Sequence, residues 1–133
     1  MMASSLVTSD IEMLKRLLVI RQVKQDKLRR QLAQCRQVSK QQVHKSLQMQ
    51  AERHELVVKL EQQVLPLQAL SPGELVQFKL MLAKGYQQER ALAEGLVTLK
   101  HEADELALTM ETLIKDIQQL SKDQEKLKAV FDE

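Results

Sequence analysis

Tryptophan is absent from this chain of 133 residues, and Phe78, Tyr86 and Phe131 are its only aromatic side chains. A globular core wants bulky residues at its centre, so a compact packed domain is not what this composition builds. Cysteine occurs once, at Cys35, which rules out an internal disulfide and fits a reducing compartment. Apolar runs are short, none longer than "LLVI", whereas a bilayer-spanning helix needs about 20 residues. The opening "MMASSLVTSD" lacks the basic region and apolar core of a signal peptide. The expectation is a soluble cytoplasmic protein. Glycine and proline are also scarce, with three and two copies. Gly73, Gly85 and Gly95 are isolated from one another, which excludes a glycine-rich phosphate cradle.

What is present is Leu, Gln, Lys, Glu and Ala, with 44% apolar and 29% charged residues. That is the profile of long helices, and the apolar share is too high for a disordered chain. Charge is unevenly spread. Residues 15–59 hold twelve Lys or Arg against three acids, and residues 74–133 hold eight against twelve. Two complementary helices lying side by side explain this, as does a basic strip awaiting an acidic partner.

The scarce residues cluster where they are most informative. In "LSPGEL", residues 70–75, Ser71 has the place of an N-cap, Pro72 of the first helical residue and Glu74 of the third. This is a capping box with proline where its missing N–H does no harm, flanked by Leu70 and Leu75 at the spacing of a hydrophobic staple. Pro66 stops or bends the preceding helix. A second capping box, Ser9 with Glu12, starts that helix. The reading is a frayed segment over 1–8, then one all-α domain over 9–133. Helix one covers about 9–65, a turn about 66–71, and helix two about 72–131. A short connection makes the two long helices antiparallel neighbours in a coiled-coil hairpin. Helices of about 57 residues give a rod ~85 Å long at 1.5 Å per residue.

Helix two carries an unbroken 3–4 alternation from Leu75 to Phe131, through Phe78, Leu82, Gly85, Glu89, Leu92, Leu96, Leu99, Ala103, Leu106, Met110, Leu113, Ile117, Leu120, Gln124 and Leu127. Fourteen of these seventeen positions are apolar. A sustained 3.5 repeat winds a left-handed supercoil with a partner helix. The matching register of helix one, from Leu14 through Cys35, Met49 and Leu60, turns polar at Ser39, Gln42 and Ser46. Val43 and Leu47 would fill the seam better, so a local shift of phase is expected over residues 38–48. Folding at 68–71 sets residue 50 near 89 and residue 21 near 118. Arg53 and Glu89 become partners across the seam.

No enzyme site is discernible. His44, His54 and His101 belong to no metal-ligand cluster, and His101, Glu102, Asp104 and Glu105 are spread round a helix by their succession. Cys35 lies on the seam and reads as a small apolar residue. No cofactor and no small-molecule substrate are expected, since a helical hairpin offers no concave, water-excluded pocket. Nucleic acid fits poorly: helix one is basic but has no aromatic side chain for stacking.

Apolar surface remains that two helices cannot cover. Leu17, Ile20 and Val23 form a stripe beside Leu14 and Leu18, and near the turn Val76, Leu80, Met81 and Tyr86 flank the seam with Val57 and Val58 opposite. Such excess calls for a further partner, either a second copy or another protein.

A hairpin opening with "IEMLKRLLVIRQVKQDKLRRQL" and closing with "LIKDIQQLSKDQEKLKAVFDE" resembles the FliJ/YscO family of type III secretion stalk proteins. The resemblance lies in the Leu-Leu-x-Ile-Arg-like patch before a charged coil, in the Leu-, Lys- and Glu-rich closing coil, and in the place of the "LSPGEL" turn. It implies a virulence-associated central stalk in the bacterial cytoplasm, peripheral to the inner membrane at the secretion apparatus. Such a stalk is monomeric alone and binds a hexameric export ATPase, an export gate protein and secretion chaperones. Carried over by position, the ATPase contact would comprise Leu14, Lys15, Arg16, Leu17, Ile20, Arg21, Val23, Lys24, Leu127 and Phe131. The gate or chaperone contact would comprise Val57, Val58, Val76, Leu80, Met81 and Tyr86. The rival reading is a coiled-coil scaffold or tether that self-associates in a multi-protein complex.

Overall fold

The computed structural model describes residues 8–63 and 70–132, and within them only Gln63, Leu70 and Ser71 lie outside two long α-helices. Helix α1 spans Thr8–Gln62, 55 residues, and α2 spans Pro72–Asp132, 61 residues. The fold is an all-α helical hairpin. No strand occurs among the described residues, and none of the helices is long and apolar enough to cross a membrane.

The start of α2 follows from its cap. Ser71 Oγ accepts the Glu74 N–H at 3.2 Å, and the Ser71 carbonyl accepts the Leu75 N–H at 3.0 Å. The first turn therefore closes at Pro72, which has no N–H to leave unpaired. Leu70 and Leu75 are both half-buried, as the staple requires. Three boundaries differ from the expectation. Helix α1 is already formed at Thr8, so Ser9 sits inside its first turn instead of capping it, and α1 ends at Gln62, short of residue 65. Helix α2 runs on through Asp132. Pro66 and the turn at 66–69 fall outside the described residues.

Both helices pass through two compact units. A terminal unit joins Met1–Val38 with Glu105–Glu133, and a central unit comprises Ser39–Asp104. In the terminal unit the buried side chains are Gln25, Leu32 and Gln124, and the two glutamines are the most enclosed, at 2% and 6% exposure. A buried amide is tolerated only with hydrogen-bond partners. Gln124 Nε2 has two on α1, donating to Gln22 Oε1 at 3.0 Å and to the Leu18 carbonyl at 3.4 Å. At the edge of this seam Arg21 approaches Asp123, 3.8 Å apart.

In the central unit Leu99 is buried and Arg53 Nε donates to Glu89 Oε1 at 2.8 Å. Two glycines of α2 admit side chains of α1. A methyl group added at Gly85 would meet Leu60 Cδ2 at 2.5 Å, and one added at Gly95 would meet Met49 Cε at 2.5 Å. These pairs run in opposite directions along the two helices, which makes them antiparallel. They also place the register about five residues further along α2 than expected: Met49 lies at Gly95, and in the terminal unit Arg21 lies at Asp123. A fold symmetric about residues 68–71 does not hold, because α1 ends at Gln62 and the first turns of α2 extend past it. Arg53 and Glu89 still meet, since both side chains are long.

The heptad reading of α2 holds throughout: all seventeen seam positions from Leu75 to Phe131 are buried or half-buried. The phase shift in α1 does not occur. Ser39, Gln42 and Ser46 remain half-buried on the seam, while Val43 and Leu47 are 58% and 59% exposed. The reason is helical regularity. Val43 and Leu47 follow Gln42 and Ser46 by one residue, about 100° round the helix, and an unbroken α1 cannot turn them inward without turning Met49, Leu56 and Leu60 outward.

Two predictions follow from this packing. Alanine favours a helix interior over glycine by about 1 kcal/mol. Gly95→Ala should raise the melting temperature followed by circular dichroism, because the tip of Met49 can swing aside. Gly85→Ala should raise it less or lower it, because the branched Leu60 must move as a body. The Arg53–Glu89 pair is partly exposed, and a double-mutant cycle should give a coupling of about 0.5–1 kcal/mol. Replacing both by Leu should leave a stable hairpin whose engineered-cysteine crosslinks report more than one register; a single register would remove the pair's role in specificity.

Candidate functional site

A two-helix seam covers one narrow stripe on each helix, so chemistry in this molecule resides in what the stripe leaves outside. No group of His, Cys, Asp or Glu able to hold a metal ion occurs among the described residues. Cys35 is half-buried at its seam position.

On α1 of the terminal unit, Met13, Val19, Ile20 and Val23 are exposed large apolar side chains, and Lys15, Arg16 and Lys24 are exposed among them. The sequence assigned Leu14 and Leu17 to the same surface, but both are half-buried, as are Leu127 and Phe131 of α2. Arg21 is half-buried too and turned toward Asp123. The ten residues proposed for one contact thus separate into a seam set (Leu14, Arg21, Leu127, Phe131), the half-buried Leu17, and an outward set of Lys15, Arg16, Ile20, Val23 and Lys24. Met13 and Val19 extend the outward set. Their signal was present in the sequence: each stands one residue from a seam or stripe position, where helical geometry turns a side chain outward.

The second surface lies in the central unit. Val76, Leu80, Met81 and Tyr86 of α2 are exposed, and Val57 and Val58 of α1 are half-buried. Val76 and Leu80 are one helical turn apart and share a face.

The structure adds a third feature. Where Ser39, Gln42 and Ser46 replace apolar seam residues, a groove of about 680 Å³ opens between α1 and α2, with Leu96, Leu99 and Ala103 opposite. Gln42 Oε1 is buried there and has no hydrogen-bond donor among the described residues. An orphaned buried acceptor destabilises a fold by about 1–3 kcal/mol. Sequence reasoning expected the helix to rotate this polar stretch away and so did not foresee the groove.

No protein-family model matches this chain, and neither a curated protein nor a solved structure is detectably similar to it.

The division between seam and outward residues is measurable. Ile20→Asp should change stability by no more than about 0.5 kcal/mol, as expected of an exposed position. Leu32→Ala, at a buried seam position, should lower it by about 2 kcal/mol. Chemical denaturation of the two variants tests the assignment, and comparable losses would place Ile20 in the packed seam.

Proposed function

We propose that this chain is a non-enzymatic central-stalk component of a type III protein export apparatus. It binds a hexameric export ATPase and links it to an export gate protein and to secretion chaperones. The observation that carries the reading is the outward band of Ile20 and Val23 with Lys15, Arg16 and Lys24 on α1, on a two-helix hairpin whose sequence resembles the FliJ/YscO stalk proteins. Apolar and basic side chains in one exposed band suit a protein partner with an acidic, partly apolar surface. The exposed face of Val76, Leu80, Met81 and Tyr86 is assigned to the gate or chaperone.

A stalk of this kind acts by differential contact. A hairpin with a basic helix and an acidic one cannot touch six identical subunits alike. It favours one subunit's closed state over the others by the difference in contact free energy, and allosteric coupling requires no more than that.

A second reading is supported by the presence of two separate apolar surfaces. A scaffold that self-associates through them would use the same residues without an ATPase.

Titration of the protein into a purified hexameric export ATPase, following hydrolysis rate and stoichiometry, separates the two. The stalk reading expects saturation near one copy per hexamer with a changed rate. Ile20→Asp, which leaves the seam intact, should weaken binding by about tenfold or more, since about 1.4 kcal/mol of lost contact suffices. Absence of binding together with concentration-dependent self-association would instead establish the scaffold.

A further inference from the structure

Three successive seam positions of α1, Ser39, Gln42 and Ser46, carry no apolar side chain, and they stand at one end of the central unit. Helix α2 sets Leu96, Leu99 and Ala103 against them. The rest of the unit is fastened differently. There Met49 enters the notch at Gly95, Arg53 holds Glu89, and Leu60 enters the notch at Gly85. Separating the helices at any of those layers strips an apolar contact or an ion pair. At the polar layers the balance is reversed on the α1 side. Water hydrates two hydroxyls and offers Gln42 Oε1 the donor that it lacks among the described residues. Leu99, 8% exposed, is the buried apolar side chain that such a separation uncovers.

We infer that the hairpin opens locally here: α1 over 39–47 parts from α2 over 96–103 and admits water, while Met49–Leu60 stays paired with Gly85–Gly95. The groove of about 680 Å³ means that part of the contact which opening would break is already missing. Val43, Leu47 and Val97 are exposed before the helices part, so they lose little by it. Helical stability in proteins comes chiefly from packing of one face, so the parted segments lose backbone protection as well. Rotation of α1 is not an alternative relief, because it would carry Met49, Leu56 and Leu60 out of the seam.

Such an opening is a sub-global event with a free energy of its own, below that of unfolding the whole chain. Its product is a strip of Leu96, Leu99 and Ala103 on α2 that the closed hairpin covers in part or in full. The polar stretch is thus a compliant segment in an otherwise fastened unit. It rests neither on the stalk reading nor on any occupant of the groove, because the seam residues of this chain alone produce it.

Leu32 and Leu99 are matched probes, 7% and 8% exposed, one in each unit. The test uses the full chain with its sole cysteine removed by Cys35→Ala. Leu99→Cys and Leu32→Cys are each treated with excess iodoacetamide at increasing urea, and the global stability of each variant is measured by circular dichroism. After correction for that stability, the thiol at 99 should react at least about tenfold faster than the thiol at 32. Its rate should respond weakly to urea below the global transition, because a small opening exposes little surface. Gln42→Leu with Ser46→Leu should bring the two rates to within about twofold of each other. Amide exchange of the unsubstituted chain makes the same test with no thiol introduced. Peptides over 39–47 and 96–103 should exchange at least about tenfold faster than those over 49–58 and 86–95. The inference is overturned by equal reaction at 99 and 32, or by a rate at 99 that follows global unfolding. It is overturned equally by a rate ratio indifferent to the two leucines, or by uniform amide protection along the central unit.

Discussion

A pair of helices can enclose only one stripe of side chains, and that narrowness governs the rest of this molecule. The most enclosed apolar residues, Leu32 and Leu99, keep a little exposure, and the most enclosed side chain of all is a glutamine, Gln25. With so thin an interior, packing alone leaves the register under-determined. Polar contacts and small residues then settle it: Gln124 against Gln22 and the Leu18 carbonyl, Arg53 against Glu89, Leu60 against Gly85. The same narrowness leaves large apolar side chains in solvent on both helices. Exposed apolar surface is therefore a by-product of the architecture, and its character depends on which charges stand beside it.

The uncompensated part of the seam is where this logic is most exposed. Ser39, Gln42 and Ser46 face α2 although Val43 and Leu47 stand one residue away. A helix is stiff in its rotation per residue, so a local preference cannot be met at the expense of every seam position that follows. The hairpin keeps its heptads and accepts a groove with an orphaned carbonyl oxygen. Natural sequences tend to agree across levels of structure, and a local conflict of this kind is characteristic of a functional surface.

Most of the fold was legible from the chain. The 3–4 alternation of α2 named its buried face residue by residue, and "LSPGEL" located its first turn, because capping and heptad rules act over a few residues. The Arg53–Glu89 contact was expected as well, though in another register; it forms because both side chains are long. The exact register was not legible, since it depends on where α1 ends, and Gln62 carries no breaker; the nearest proline comes four residues later. The cap at Ser9 was misjudged for a related reason, as a serine within the first turn looks the same in sequence as one at its start. At the candidate surfaces, sequence pattern identified apolar excess but could not separate Leu14, Leu127 and Phe131 from Ile20 and Val23. Seam and neighbouring stripe differ by only one position, and the separation is made by the partner helix.

The fit of Leu60 into Gly85 works as a detent. Sliding α2 by one heptad in either direction would present Phe78 or Leu92 to Leu60 in place of glycine, and the isobutyl group would have to move to make room. This discrimination is by size, and dissolved ions do not screen it as they screen Arg53 against Glu89. The notch therefore opposes a heptad slip even at ionic strengths where the charge pair contributes little, and it adds to the pair's discrimination without replacing it.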